Sequence, residues 1–401
     1  MPHWTEGPQS ILAPTGMDDF INAHWEGVPL VIQGRDPSIY EGLLSLDTLD
    51  ELIHSSGLRS PTFRLVQDGD EIPPPAYTMG SIPWGTGSVS GFINRDATRH
   101  LMRQGATFVM EACQRILPSV AALSRTFEQA FHCPSPVNLY VTPGNAQGFK
   151  PHYDVQNVFV LQLHGTKKWK VFRPDVEHPS DGQSVHCAVQ PSAELLHEVT
   201  LSPGDLLYLP RGYGHVAHTT DELSVHLSVS LLPTIWADVF RSMVDTLHHD
   251  PRFREAVPLQ PNGPAELSES LEMRFNELMQ TFVEGSDLED TIDEMGVQFV
   301  ATRLPATAGQ LRSLIEPGTI NIQSVVRRPQ EIVWRVDSDG ENAQLHFHGK
   351  SVSAPWNAIS TLRWIAESDE FNVRDIPGDI NDDIRCELSQ HLVNEGFLFL
   401  V

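Results

Sequence analysis

Three residues near the middle of the chain have the types and spacing to hold a metal ion. His152 and Asp154 lie in "FKPHYD", at the start of an apolar run. His215 ends "LPRGYGH", 61 residues beyond the aspartate. Two positions apart on a strand point to one face, so one imidazole and one carboxylate can reach a single ion. A histidine from a distant strand then completes a set of two histidines and one carboxylate. Such a set covers one face of an octahedral ion and leaves other positions open, as non-haem Fe(II) chemistry with a cosubstrate and oxygen requires. With 18 histidines in 401 residues, the pair also has a plainer reading: a surface histidine and an aspartate capping the next turn.

The elements that must position these residues read as strands. From about 134 to 232, "VNLYVTP", "VQNVFVLQLHG", "KKWKVFRP", "HEVTLSPGD", "LLYLPRG" and "LSVHLSVSLLP" are short β-type runs bounded by Gly, Pro or Asp. Such spacing suits a sandwich, jelly roll or barrel. Val137, Leu139 and Val141 share one face and Asn138, Tyr140 and Thr142 the other. Val225, Leu227 and Val229 alternate with Ser224, His226, Ser228 and Ser230. A polar face backed by an apolar one fits either a sheet with one wet side or a barrel around a polar cavity. Lys167 falls in phase with Trp169 and Val171, whereas Lys168 and Lys170 point the other way. A lysine in that phase is a candidate buried cation, which needs an anionic partner.

The flanks differ in character. Residues 1 to about 125 are mixed: a short helix in "MDDFINAHWEG", strands in "PLVIQGR" and "PTFRLVQ", and a helical pattern over "ATRHLMRQGATFVMEACQRILPSVAALSRTFEQAFH" with stops at Gly105 and Pro118. After 236 the pattern is helical. Leu267, Leu271, Phe275, Leu278 and Phe282 form one apolar stripe, and a capping box at Ser286–Glu289 opens a second helix bearing Leu288, Ile292, Met295 and Phe299. The two stripes pack either on the rest of the chain or on a second copy. From about 311, three strands, two helices and the terminal strand "FLFLV" resemble a winged helix, with eight Lys/Arg against fourteen Asp/Glu.

Composition limits the function classes. A formal charge of −25 and a pI near 5.0 argue against a phosphate-binding surface, and no basic cluster is present. The acidic winged-helix-like unit suits protein contact better than DNA. Cys113, Cys133, Cys187 and Cys386 form no CxxC pair, which suits reduced thiols in a cytoplasmic protein. The start "MPHWTEGPQS" does not read as a signal peptide, and no apolar run is long enough for a membrane span.

The stretches "NLYVTPGNAQGFKPHYDVQNVFVLQLHGTKKWKVFRP" and "LSPGDLLYLPRGYGHVAHTTDELSVHLSVS" resemble the JmjC-type ribosomal oxygenases, Fe(II)- and 2-oxoglutarate-dependent protein hydroxylases of the cupin superfamily. The resemblance is strong at 134–232 and looser elsewhere. It implies an α+β chain in four parts. A mixed part (1–125) precedes a double-stranded β-helix, or jelly-roll, JmjC/cupin barrel (126–235). A helical dimerisation region (236–310) and an acidic winged-helix-like domain (311–401) follow.

It further implies that His152, Asp154 and His215 are the iron ligands and catalytic centre. Lys167 would bind the distal carboxylate of 2-oxoglutarate. Asn138, Tyr140 and Ser230 would lie beside the cosubstrate, Ser230 aligning only if one residue is deleted after His215. The implied cofactors are Fe(II), with 2-oxoglutarate and O2 as cosubstrates. The implied reaction is hydroxylation of a residue of a protein, in the family often His or Arg of a ribosomal protein, by a homodimer that needs no DNA or membrane. Open alternatives are hydroxylation of a ribosomally made precursor peptide, demethylation by the same chemistry, and a non-catalytic metal-binding cupin or winged-helix regulator.

Overall fold

In the computed structural model, which describes residues 4, 7–55, 57–174, 176–180, 193–257, 269–303, 319–338 and 340–401, the β-branched and aromatic runs of the first half become strands. The chain forms two compact units, Met1–Leu232 and Pro233–Val401. Leu267 and Cys187 lie outside the described residues, as does the expected boundary near 311. The described cysteines, Cys113, Cys133 and Cys386, are free thiols.

The first unit opens with helices α1 (Pro8–Leu12) and α2 (Met17–Ala23), strand β1 (Leu30–Ile32) and helix α3 (Leu46–Ser55). Next come β2 (Phe63–Gln67), β3 (Asp70–Glu71), β4 (Ile82–Trp84), β5 (Gly87–Val89), α4 (Arg95–Arg103), β6 (Thr107–Met110) and α5 (Pro118–Phe131). The strands from 134 to 232 are β7 (Val137–Thr142), β8 (Asn157–His164), β9 (Lys167–Phe172), β10 (Leu195–Leu201), β11 (Leu206–Leu209), β12 (Gly214–Thr219) and β13 (Ser224–Leu231).

One antiparallel sheet runs β1-β11-β8-β13-β7-β6-β2-β3, and a second runs β10-β9-β12. Strands β8 and β13 are buried on both faces, whereas β7 is buried outward and half-buried inward at Asn138 and Tyr140. Outward, Leu139, Phe159, Leu161 and Leu227 join Phe20 of α2 and Leu123 and Phe127 of α5 in one apolar core. Inward, Val158, Val160, Trp169, Val171, Leu207 and Leu209 form a second. Each fully buried aromatic such as Phe159 contributes about 1.5–3 kcal/mol.

Three local readings are corrected. Thr107–Met110, expected within a helical stretch, is strand β6, because its four residues are all buried and pair with both β2 and β7. Pro118 does not stop a helix. It starts α5 at the first position, where a missing N–H costs nothing. The strand β12, which carries His215, was not anticipated.

The second unit contains α6 (Trp236–Leu247), α7 (Glu269–Gly285), α8 (Leu288–Ala301), β14 (Val325–Arg327), β15 (Trp334–Ser338), β16 (Asn342–Phe347), β17 (Lys350–Pro355), α9 (Ile359–Glu367), β18 (Glu370–Asn372), α10 (Asp382–Glu395) and β19 (Phe399–Leu400). Its two three-stranded sheets run β18-β14-β19 and β15-β16-β17. The Ser286 capping box is not formed. Asp287 caps α8, its carboxylate accepting from the Asp290 N–H, since a carboxylate there also meets the positive end of the helix dipole. α8 packs on β15, β16 and α6, with Asp293 paired to Arg335. Part of the apolar surface stays uncovered: Phe275 on α7 is 61% exposed, and Phe240 of α6 and Ile292 of α8 are also exposed. Among the described residues no helix is long and apolar enough to cross a membrane.

The β8–β9 turn sets the register that brings Lys167 inside. Gly165 there has φ +58, and an added Cβ would lie 1.9 Å from the Leu223 carbonyl oxygen. Gly165→Ala combines left-handed strain with a backbone clash and is expected to cost roughly 2–4 kcal/mol. An unchanged denaturant midpoint in that variant would refute this account of the turn.

Candidate metal centre

His152 and His215 are joined through their backbones. Each N–H donates to the other's carbonyl, His152 N to His215 O at 3.1 Å and His215 N to His152 O at 2.7 Å. This isolated antiparallel bridge ties the segment before β8 to the start of β12. It sets the two rings 4.4 Å apart, centroid to centroid. Asp154 sits in irregular backbone between the bridge and β8 rather than on a regular strand. Its position is fixed instead by the Gly212 N–H, which donates to the Asp154 carbonyl at 2.8 Å.

The side chains converge. His152 Nε2 lies 3.9 Å from Asp154 Oδ1, and His215 Nε2 lies 3.6 Å from Asp154 Oδ2. One donor atom from each residue falls within 4.8 Å of the others. Both Nδ1 atoms are held by the carbonyl two residues upstream, His152 by Lys150 at 2.8 Å and His215 by Tyr213 at 3.2 Å. With Nδ1–H donating to those carbonyls, both Nε2 lone pairs face Asp154, the tautomer a metal ligand needs. Burial, together with the neighbouring His152, depresses the pKa of His215, so its imidazole is neutral and ready to ligate at pH 7. The donor set of two imidazoles and a partly exposed carboxylate fits a divalent first-row ion with open positions.

Behind the triad lies an open cleft of about 610 Å³, its mouth included. Lys167 lines it, 5% exposed. Its Nζ donates to Thr142 Oγ1 at 3.2 Å and sits 5.8 Å from the Trp169 ring centre. No carboxylate among the described residues pairs with it, and desolvation by burial lowers its pKa to about 7. An anionic ligand would restore the missing charge partner. Tyr140 also lines the cleft, its phenol pushed up to about 12 chiefly by burial.

Asn138 and Ser230 are not among the cleft-lining residues. Asn138 Oδ1 instead accepts from the Ala112 N–H at 3.0 Å, and Ser230 is buried on β13. The cleft instead includes Thr107, Phe149, His226 and Ser228. His226 and Ser228 were visible in the polar phase of "LSVHLSVS". Thr107 was hidden by the helical reading of its segment.

Comparison with known proteins adds a family context. The family model for the JmjC domain matches residues 110–239. The chain is 26% identical over 374 residues to the bifunctional lysine-specific demethylase and histidyl-hydroxylase NO66 of Aedes aegypti, covering 84% of this chain and 57% of that protein. It is 27% identical to ribosomal oxygenase 1 of Gallus gallus, covering 84% and 58%, so it spans a little over half the length of these relatives. With ribosomal oxygenase 2 of Rattus norvegicus the identity is 26%, covering 92% of this chain and 86% of that one. The fold is similar to that of the Escherichia coli ribosomal oxygenase YcfD, in a structure with cobalt and 2-oxoglutarate: TM-score 0.58, 18% identity, and 96% and 98% of the two chains covered. This chain therefore carries a JmjC domain with the mixed helix-and-strand cupin fold and resembles the JmjC-type ribosomal oxygenases in sequence and architecture.

Proposed function

We propose that this protein is an Fe(II)- and 2-oxoglutarate-dependent oxygenase that hydroxylates a side chain of a protein substrate, with a ribosomal protein as the target class. The observation that carries this reading is the pairing of an open His152–Asp154–His215 triad with a buried, anion-deficient Lys167 in one cleft. A cosubstrate with a chelating 2-oxo acid at one end and a carboxylate at the other matches that layout. The names of the relatives support the target class. The chain's −25 charge suits a basic partner through electrostatic complementarity.

In this reading His152, Asp154 and His215 hold the iron, and Lys167 neutralises the distal carboxylate of 2-oxoglutarate. Tyr140 borders the cosubstrate. Asn138 and Ser230 stand one step back, Asn138 through its hydrogen bond to the β6–α5 connection. Iron with 2-oxoglutarate and oxygen supplies the oxidising power for C–H hydroxylation. The chain's own residues fix the geometry and exclude water. The Nδ1–carbonyl bonds keep both imidazoles aimed, and Val158, Val160, Trp169 and Leu209 wall the cleft with apolar surface. In this reading the cysteines stay reduced, as suits a cytoplasmic protein.

Mn(II), standing in for Fe(II), is expected to bind once per chain, and His215→Ala or Asp154→Ala to weaken it by about 100-fold or more. Lys167→Ala is expected to weaken 2-oxoglutarate by about 10- to 100-fold while leaving Mn(II) affinity nearly unchanged. Calorimetry on the loaded protein reads both, and equal cosubstrate affinity in the lysine variant would remove Lys167 from the site. For the reaction itself, candidate ribosomal proteins incubated with enzyme, Fe(II) and 2-oxoglutarate should gain one oxygen atom by intact-mass analysis. Loss of formaldehyde from a methylated peptide would instead mark a demethylase.

The uncovered apolar side chains of α6, α7 and α8, including Phe240, Phe275 and Ile292, support a homodimer. Soluble monomers seldom expose a large contiguous apolar patch, and a two-fold pairing buries it against itself. Light scattering should give twice the 44.7 kDa chain mass, and Phe275→Glu should shift it to the monomer. A wild type at single-chain mass rejects the dimer.

A further inference from the structure

His226 is the buried titratable group in the cleft that the assignments above leave without a task. It sits on β13 opposite Tyr140 and is 2% exposed. Its ring stacks on Tyr140 at 4.8 Å with 2° between the planes, and meets Trp169 edge-on at 5.6 Å. These two contacts fix the plane of the imidazole, so the directions in which its nitrogens point are fixed too. Yet Nδ1 is buried with no hydrogen-bond partner, and neither ring nitrogen bonds a protein group among the described residues.

A neutral imidazole always presents one N–H and one lone pair. A buried donor without a partner is destabilising, and one that persists in a cavity calls for a ligand that completes it. The charge environment says which ligand. Burial, and after it the charge of Lys167, keeps the His226 imidazole uncharged. His226 therefore offers an N–H dipole rather than a second cation. A carboxylate has two oxygens to satisfy, and Lys167 brings one ammonium whose only protein acceptor among the described residues is Thr142. A cation and a neutral donor side by side serve both oxygens without like-charge repulsion.

We propose that His226 is a cosubstrate-binding residue whose imidazole N–H donates to the distal carboxylate that Lys167 neutralises, and so helps select a dicarboxylate over a monocarboxylic 2-oxo acid. This rests on the reading of the cleft as a 2-oxoglutarate site. The competing role is purely structural, with the ring serving only to pack Tyr140.

The test uses the full chain loaded with Mn(II) and two probes, 2-oxoglutarate and 2-oxobutyrate. The second keeps the chelating end and lacks the distal carboxylate. His226→Phe keeps an aromatic ring for the stack and removes both nitrogens, whereas His226→Gln restores a donor. The Phe variant should bind 2-oxoglutarate about 10- to 100-fold more weakly, with 2-oxobutyrate and Mn(II) unchanged within about twofold, and the Gln variant should recover part of the loss. Unchanged 2-oxoglutarate affinity in the Phe variant, or an equal loss for both acids, overturns the proposal. A wild type that binds Mn(II) but not 2-oxoglutarate overturns the underlying reading of the cleft and this inference with it. Should the Phe variant fail to fold, the ring nitrogen resonances of His226 in 15N-histidine-labelled, Zn(II)-loaded wild type give the answer. They should shift on titration with 2-oxoglutarate and not with 2-oxobutyrate. Resonances that ignore both acids reject a bond to the ligand.

Discussion

The reciprocal backbone pair between His152 and His215 is the constraint on which the site depends. It joins residues 63 positions apart in the sequence with two hydrogen bonds, and that closure is possible only if β8, β9 and β12 are already in register. Both histidines then use the same local device, an Nδ1 bond to the carbonyl two residues upstream. That device sets tautomer and ring direction together. The candidate ligand set is thus organised by main chain, so its geometry survives changes in many surrounding side chains. It does not survive a one-residue slip of β9 or β12, which would turn Lys167 and His215 to the outside.

The interior that surrounds this pair carries an unusual polar load. Lys167, His215, His226 and Ser228 are all buried beside Val158, Val160 and Val171. Trp169 Nε1 and His226 Nδ1 lack partners there. Unpaired buried donors and an unpaired ammonium weaken a fold. The outward core, with Phe20, Phe127, Phe159 and Leu161 fully buried, offsets that cost on the other side of the same strands. Stability and the proposed ligand recognition are therefore divided between the two faces of β7, β8 and β13. That division explains why β13 is buried on both sides although its sequence alternates like a half-exposed strand.

Much of this was legible in the sequence, because alternation with period two is a direct record of facing. The phase of Lys167 with Trp169 and Val171, and of His226 with Ser228, needs no tertiary information. What periodicity cannot record is which strands meet. "ATFVMEA" contains too few residues to establish a period, and its strand character comes from pairing with β2 and β7. Likewise "GHVAHT" becomes β12 because its backbone pairs with β9, while its own side chains carry little pattern. The Asp154 carboxylate reaches the histidines from irregular backbone, so the same-face argument gave the right neighbourhood by a route the chain does not take. At α8, the pattern beginning at Ser286 points to a cap one residue too early, because the helix start that makes Asp287 the cap is set by packing rather than by the motif.

The N-terminal helices look remote from the chemistry in sequence, yet the hydrogen bonds run straight from them to the ligands. Trp25 and Phe20 pack on Tyr208. The Tyr208 hydroxyl accepts from the Glu26 N–H at 3.1 Å and donates to Asn157 Oδ1 at 3.2 Å. Asn157 Nδ2 donates to the Glu26 carboxylate at 2.6 Å, and Arg211 closes the ring by donating from Nε to the same carboxylate at 3.1 Å and from its backbone N–H to Asn157 Oδ1 at 3.2 Å. The next residue, Gly212, holds the Asp154 carbonyl, and its left-handed φ of +87 leaves no room for a side chain beside the Val176 carbonyl. Glu26 is thus linked through one arginine and one asparagine to the loop that delivers His215 and to the segment that delivers Asp154. Charged groups in such a ring hold each other in place more firmly than neutral ones. The mixed N-terminal part therefore forms an outer layer of the candidate metal site.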